Sequence, residues 1–315
     1  ALIFTGALPA PTTPFSPSQW HAHEMFFGFG WAVLGGFLLT STKNWVHIRG
    51  YHGAALMVLV AAWLLERLGM WFAGELPRPL FLLTNNLFLV ALPLFLIAKY
   101  LLLDAATFAI GWSMTLGLFR VAFLVMLERT LSQFMKGVFQ VEILRAPPLD
   151  NAIKLLALAM VFESLLPSML AGATALTLAS LLIARFCFWK PLVAIKRLDV
   201  GIMYIGYLAL VSQLLLDGLG RFLNLHWIGT LPVHIFTFGV MGLIIPAMIV
   251  RISNGHTGRK VVFGAADKAV LWLMIAAFVV RVLVPQLAPE RYPMWIHLAA
   301  TCWTLGFGLL GWRYI

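Results

Sequence analysis

Apolar runs of about 20 residues, repeated from one end of the chain to the other, restrict its fold more than any other feature. They lie at 22–41, 53–73, 79–102, 105–127, 151–171, 173–189, 200–219, 228–250, 267–288 and 293–313. A helix of that length crosses a bilayer core. No water is available there for backbone groups, so the helix, which satisfies its N–H and C=O groups internally, is the natural solution. Composition agrees, with 62% hydrophobic and 11% charged residues, where a soluble domain carries roughly a quarter charged. The expected fold is all-α: a polytopic transmembrane helical bundle of about ten spans, forming a single transmembrane domain over 1–315.

A formal net charge of +10 in a soluble protein would suggest nucleic acid. Here Lys and Arg fall mainly in short joins between apolar runs, where they set orientation, and no basic stripe interleaved with aromatics occurs. No nucleic-acid partner is expected; the surroundings are membrane lipids. Cys187 and Cys302 both sit inside apolar runs, with no CxxC or CxxCH. That excludes a disulfide framework, a thiolate zinc site and covalently attached haem.

The basic joins are 41–53 (Lys43, Arg49), 128–154 (Arg129, Lys136, Arg145, Lys154), 190–199 (Lys190, Lys196, Arg197) and 251–268 (Arg251, Arg259, Lys260, Lys268). Positive joins face the cytoplasm, and the remaining joins are neutral or nearly so. Strict alternation fails once. With Lys99 taken as a cytoplasmic marker, the 79–102 run ends inside, yet 128–154 is also basic. One further crossing near 102–105 restores the alternation, and "ALIFTGALPAP" reads as the outer tail of a span before Ala1. The expectation is about twelve spans in the full protein with both termini cytoplasmic. That orientation puts 16–25, His226, His234 and His297 in the outer half, and His47, His52 and His256 on the cytoplasmic side.

Eight histidines are the main stock of ligands; imidazole suits copper, iron and haem, and thioether suits Cu(I) or haem iron. In "WHAHEM", His21 and Met25 share a face if helical, whereas His21 and His23 meet one metal only where the chain is extended or half-unwound. The segment is either a metal site or an interfacial helix start whose Glu24 complements the helix dipole. In "LHWIGTLPVHIFTFGVMG", helical spacing aligns His234, Phe238, Met241 and Ile245, and Pro232 loosens the helix above His234. A lone histidine there is either a hydrogen-bonded core residue or a ligand. In "RISNGHTGRK", Asn254, Gly255, Thr257 and Gly258 form a polar turn that presents His256 beside Arg251, Arg259 and Lys260. It is either a solvated basic cap or a contact for an anionic group such as a haem propionate.

Glu24, Glu66, Arg67, Arg120, Glu163, Arg185, Asp217 and Arg281 are charged residues within spans, where charge is costly and calls for a partner. Mid-helix Arg120 and Glu163 are expected to pair with each other; the alternatives are a propionate on Arg120 and proton relay by Glu163.

The stretches "WHAHEMFFGFGWAVLGGFLLTSTKNW" and "LPVHIFTFGVMGLIIPAMIVRISNGHTGR", with the final "LAATCWTLGFGLLGWRYI", closely resemble the NnrS family. The resemblance implies a twelve-span bacterial inner-membrane protein of the nitric oxide response that contains copper and non-covalent, b-type haem. The positions it carries over are His21, His23 and Glu24, then His234, then His256 with Arg259. His21, His23, His234 and Met25 are the candidate metal ligands. Arg120, His256 and Arg259 are candidates for holding the cofactor, and Glu24 and Glu163 for supporting it or moving protons. Two departures stand out. Where the family often has His–x–x–Tyr, this chain reads Tyr204–Ile205–Gly206–Tyr207, and "ERTLSQFMKGVF" keeps Arg129 without the family's frequent proline. The expected ligand is nitric oxide, bound or turned over with electrons from a donor the sequence does not identify. The alternative is a secondary transporter of a metal, haem or small molecule. An oxidase or nitric oxide reductase core is disfavoured by the absence of a His-His pair.

Overall fold

The computed structural model describes residues 1–9, 13–37, 52–71 and 93–314. Every element among them is helical, and seven helices are long and apolar enough to cross a membrane. The chain divides into two compact units, Leu2–Leu118 and Phe119–Ile315, and each is described by itself.

In the first unit the SPSQ sequence starts a helix by a capping box. Ser16 Oγ accepts from the Gln19 amide at 3.2 Å, the Ser16 amide donates to Gln19 Oε1 at 3.0 Å, and Pro17 fills the first turn. The Pro17–His23 helix passes directly into a π-helical stretch, Glu24–Gly30. Residues 31–37 continue it as α-helix, and Ala54–Trp71 and Pro93–Leu103 are further described helices before the long Phe108–Phe139 helix, which contains the boundary between the units. Gln19 Nε2 donates to the Leu103 carbonyl at 3.0 Å, so the end of Pro93–Leu103 lies beside the start of the first helix.

Lys99 therefore does not mark a cytoplasmic loop. It is fully buried and ion-paired with Glu66, because an ammonium below the membrane surface is stable only against a counter-charge. The charge count at 102–105 loses its marker. The Asp104–Thr107 connection itself is closed by Thr107 Oγ1 donating to the Leu101 carbonyl at 2.9 Å and the Ala106 amide donating to Asp104 Oδ1 at 2.7 Å. Residues 79–92 of the third expected span and 38–41 of the first lie outside the described residues.

In the second unit, two expected boundaries move. The 105–127 run continues as helix to Phe139, so Arg129 and Lys136 belong to it and not to a loop. The 151–171 run is broken, with Pro147–Ala159 tightening into a 3-10 turn, Met160–Leu165, before Pro167 ends it. Ser168–Phe188 and Leu198–Leu223 then pack with their backbones close. A Cβ on Gly218 would stand 2.7 Å from Leu176 Cγ and 3.0 Å from the Gly172 carbonyl. On its other side, Leu198–Leu223 meets the helix that follows His234, where a Cβ on Gly206 would lie 2.6 Å from Ile244 Cγ1.

Buried carboxylates tie the helix ends together. Arg145 donates to Glu128 at 2.5 Å, and Arg185 reaches Asp150 at 3.3 Å and the Tyr207 hydroxyl at 3.2 Å. Arg251 donates to Asp199 at 2.6 Å, and Arg313 pairs with Asp267 at 2.8 Å. Tyr204 and Tyr207 are spent here too, their hydroxyls donating to the carbonyls of Trp189 and Leu182. Replacing Gly218 with leucine should overpack the 168–188/198–223 contact and cost about 1–3 kcal/mol, read as earlier unfolding of the detergent-solubilised protein in an SDS titration.

Candidate functional site

The first unit builds one charged cluster around a histidine. His23 closes the opening helix and is completely buried. Its Nδ1 lies 3.1 Å from Glu24 Oε1, and Glu24 Oε2 accepts from Arg67 Nη1 at 2.5 Å. The guanidinium keeps Glu24 an acceptor, so Nδ1 carries the proton and the lone pair sits on Nε2. That Nε2 makes no hydrogen bond and stands 3.6 Å from Glu66 Oε1, another acceptor. Two acceptors facing each other need a cation beside them. Glu66 is flanked by Lys99 and, at 2.8 Å, by Arg67 Nη2. Phe27 walls the cluster, stacking on His23 at 5.5 Å with Lys99 over its ring at 5.7 Å. Two carboxylates, two cations and a neutral imidazole leave the cluster with no net charge.

The second unit holds another helical histidine, His234. His234 ends the short Leu231–His234 helix, which Pro232 helps to start, and a π-helical stretch, Ile235–Met241, follows. Pro232 therefore opens the helix and does not break it, and the π turn alters the register expected for His234, Phe238, Met241 and Ile245. His234 Nδ1 donates to the Thr230 carbonyl at 2.8 Å, and Nε2 accepts from Arg281 Nη2 at 2.8 Å. Since a carbonyl only accepts and a guanidinium only donates, these partners fix the tautomer. Met241 and Ile245 are buried in the core.

Arg120 and Glu163 pair as expected, Nη1 to Oε2 at 3.7 Å, and Glu163 is shared with Arg221 at 3.5 Å. Arg120 is fully buried, and its Nε and Nη2 have no hydrogen-bond partner. His21 is exposed, two helical residues from buried His23, so the described backbone does not point both imidazoles at one atom. Met25 is half-buried. Asn254 lies within the helix Gly242–His256 and donates to the Tyr314 hydroxyl at 3.0 Å. Arg259 is exposed beyond it, and the His256 side chain lies outside the described residues. Among the described residues no three His, Cys, Asp or Glu side chains converge as a metal site.

In the sequence, Glu66, Arg67 and Arg281 stand among the in-span charges with no histidine to face, and Lys99 reads as the cytoplasmic end of the 79–102 run. The signal was present: "WLLERLGM" puts two opposite charges in the middle of an apolar run, and such residues need partners from neighbouring helices.

These features define a multi-pass helical membrane protein in which His23 is held, buried and oriented, among paired charges. A family model described as NnrS protein matches residues 1–105 and 84–315. The chain belongs to the NnrS family, which at the level of the family makes it a membrane protein of the nitric oxide response. The two matched segments overlap over 84–105. No curated protein matches, and no solved structure does.

Replacing Glu66 with alanine strands Arg67 and Lys99 without one of their anions. The expected cost is about 3–5 kcal/mol, the range for breaking a buried pair on one side, measured as lost resistance to SDS unfolding. The E66Q variant should fall between the two.

Proposed function

We propose that this protein binds haem and copper through helix-borne histidines near the outer face of the bacterial inner membrane and takes nitric oxide as its ligand there. In this reading it is multi-pass, with both termini of the full protein cytoplasmic. The observation that carries the proposal is His23, a neutral imidazole whose Nδ1–H is held by a carboxylate and whose buried Nε2 lone pair makes no hydrogen bond. Carboxylate support of one ring nitrogen is how proteins orient a histidine for metal at the other, and Glu24 fits that supporting role.

The residues fit a single histidine ligand to iron or copper better than a closed protein cage, since one imidazole and one carboxylate face the same point. Arg120 suits a carboxylate such as a haem propionate. The Nε–Nη2 edge of a guanidinium is a two-pronged donor, and here that edge is buried without a hydrogen-bond partner. His21, Met25, His234, and His256 with Arg259 are further candidates on the family pattern. Glu163, ion-paired with Arg120 and the more exposed Arg221, is the candidate carboxylate for moving protons, since neither guanidinium can release one. Ferrous haem supplies tight binding of nitric oxide, and copper supplies an electron-exchange partner.

The purified, detergent-solubilised protein should show a Soret band and stoichiometric copper, and nitric oxide should shift the band. H23A should lose the band or the copper while staying monodisperse. A colourless, metal-free preparation contradicts the proposal.

A further inference from the structure

The two histidine sites are built alike, and the likeness extends through four pairs of residues. His23–Glu–Met–Phe–Phe–Gly28 and His234–Ile–Phe–Thr–Phe–Gly239 share the pattern H-x-x-x-F-G. In each, the histidine is the last α-helical residue and the seven that follow are π-helical, Glu24–Gly30 and Ile235–Met241. Long π stretches are rare and concentrate at functional sites, so two in the same place relative to the same motif are informative.

Each π stretch runs on into α-helix, residues 31–37 and Gly242–His256, and the separate helix described after each also corresponds. Gly53–Ala54–Ala55 and Gly264–Ala265–Ala266 open the two helices. Further on, after four extra residues in the second helix, Ala61–Ala62–Trp63–Leu–Leu–Glu66 matches Ala276–Ala277–Phe278–Val–Val–Arg281. The contacts follow the alignment. Trp63 Nε1 donates to the Gly28 carbonyl at 3.1 Å. Its counterpart Phe278 lies against the equivalent Gly239, where an added Cβ would stand 2.8 Å from the ring. Glu66 faces His23 Nε2 at 3.6 Å, and its counterpart Arg281 faces His234 Nε2 at 2.8 Å.

We infer that the chain carries an internal duplication, one copy of a histidine–π-turn module in each compact unit, and that one charge inversion divides their roles. Glu66 leaves the first copy able to take a cation at His23, whereas Arg281 fills the equivalent place in the second and seals His234. In both copies Nδ1–H is given to an oxygen, of Glu24 or of the Thr230 carbonyl. In both the lone pair is on Nε2. What meets that lone pair is the difference. In the first copy it meets a carboxylate oxygen that Lys99 shares and that a metal cation would take over; in the second it meets a guanidinium, itself a cation that cannot lose its proton. Tyr292 stacks on Arg281, 5.4 Å from the ring centroid, and helps to hold it in place.

This inference rests on the proposed metal binding and is tested separately from it. The full-length protein, purified in detergent and stripped with chelator, is titrated with Cu(II) and followed by EPR and by the metal-to-protein ratio. Wild-type copper should fall in H23A and stay unchanged in H234A. R281E should bind one further equivalent, and that gain should vanish in R281E/H234A. Copper lost in H234A, or a monodisperse R281E with no added equivalent, overturns the inference. Should R281E aggregate, R281Q with diethyl pyrocarbonate labelling decides it. His234 should be labelled several-fold faster in R281Q than in wild type, and equal rates overturn the sealing role. A wild-type protein isolated without haem or copper defeats the proposed function, while the gain in R281E still reports on the duplication.

Discussion

A charge held below the membrane surface must have its counter-charge within reach, because no water is there to replace it. Much of this structure follows from that constraint. Glu66 draws Arg67 and Lys99 to His23, Asp150 and Glu128 draw Arg185 and Arg145, and Asp199 and Asp267 draw Arg251 and Arg313. Each set joins elements that are distant in sequence, so pairing selects which helices are neighbours as well as neutralising charge. Apolar packing alone discriminates little between helices in lipid; close backbone contacts such as Gly172 with Gly218 add the rest.

The candidate site gains its chemistry from the same rule. His23 is neutral because its surroundings already balance, and its tautomer is fixed because Glu24 is held as an acceptor by Arg67. His234 reaches the same tautomer from a carbonyl and an arginine. A duplicated scaffold is also the architecture of many secondary transporters. Here, however, the two copies differ at the residue facing the imidazole, and that asymmetry suits one metal-bearing half and one sealed half better than two equivalent gates.

The helical class and most helix positions were legible because a bilayer demands a long apolar run whatever the sequence does elsewhere. The Arg120–Glu163 pair was legible for the reason already given, that two opposite charges in mid-span have few other partners. Three features were not. Lys99 looked like the cytoplasmic end of its run because its partner Glu66 is 33 positions away in a different apolar run. The π turns after His23 and His234 are announced by no sequence period. The likeness of the two modules was hidden because only scattered residues are shared, and the shared ones acquire meaning only through their contacts. The two histidines of the WHAHEM segment differ, one buried and one exposed, which the spacing alone did not reveal.

The central claim is that a buried, carboxylate-oriented His23 is the metal-bearing histidine of this protein. Anomalous difference maps from crystals of the purified protein, recorded at the iron and copper edges, test it most directly. The account predicts a peak within ligand distance of His23 Nε2 and none at His234, where the Arg281 guanidinium should occupy the position. A peak on His234 with His23 bare would contradict it.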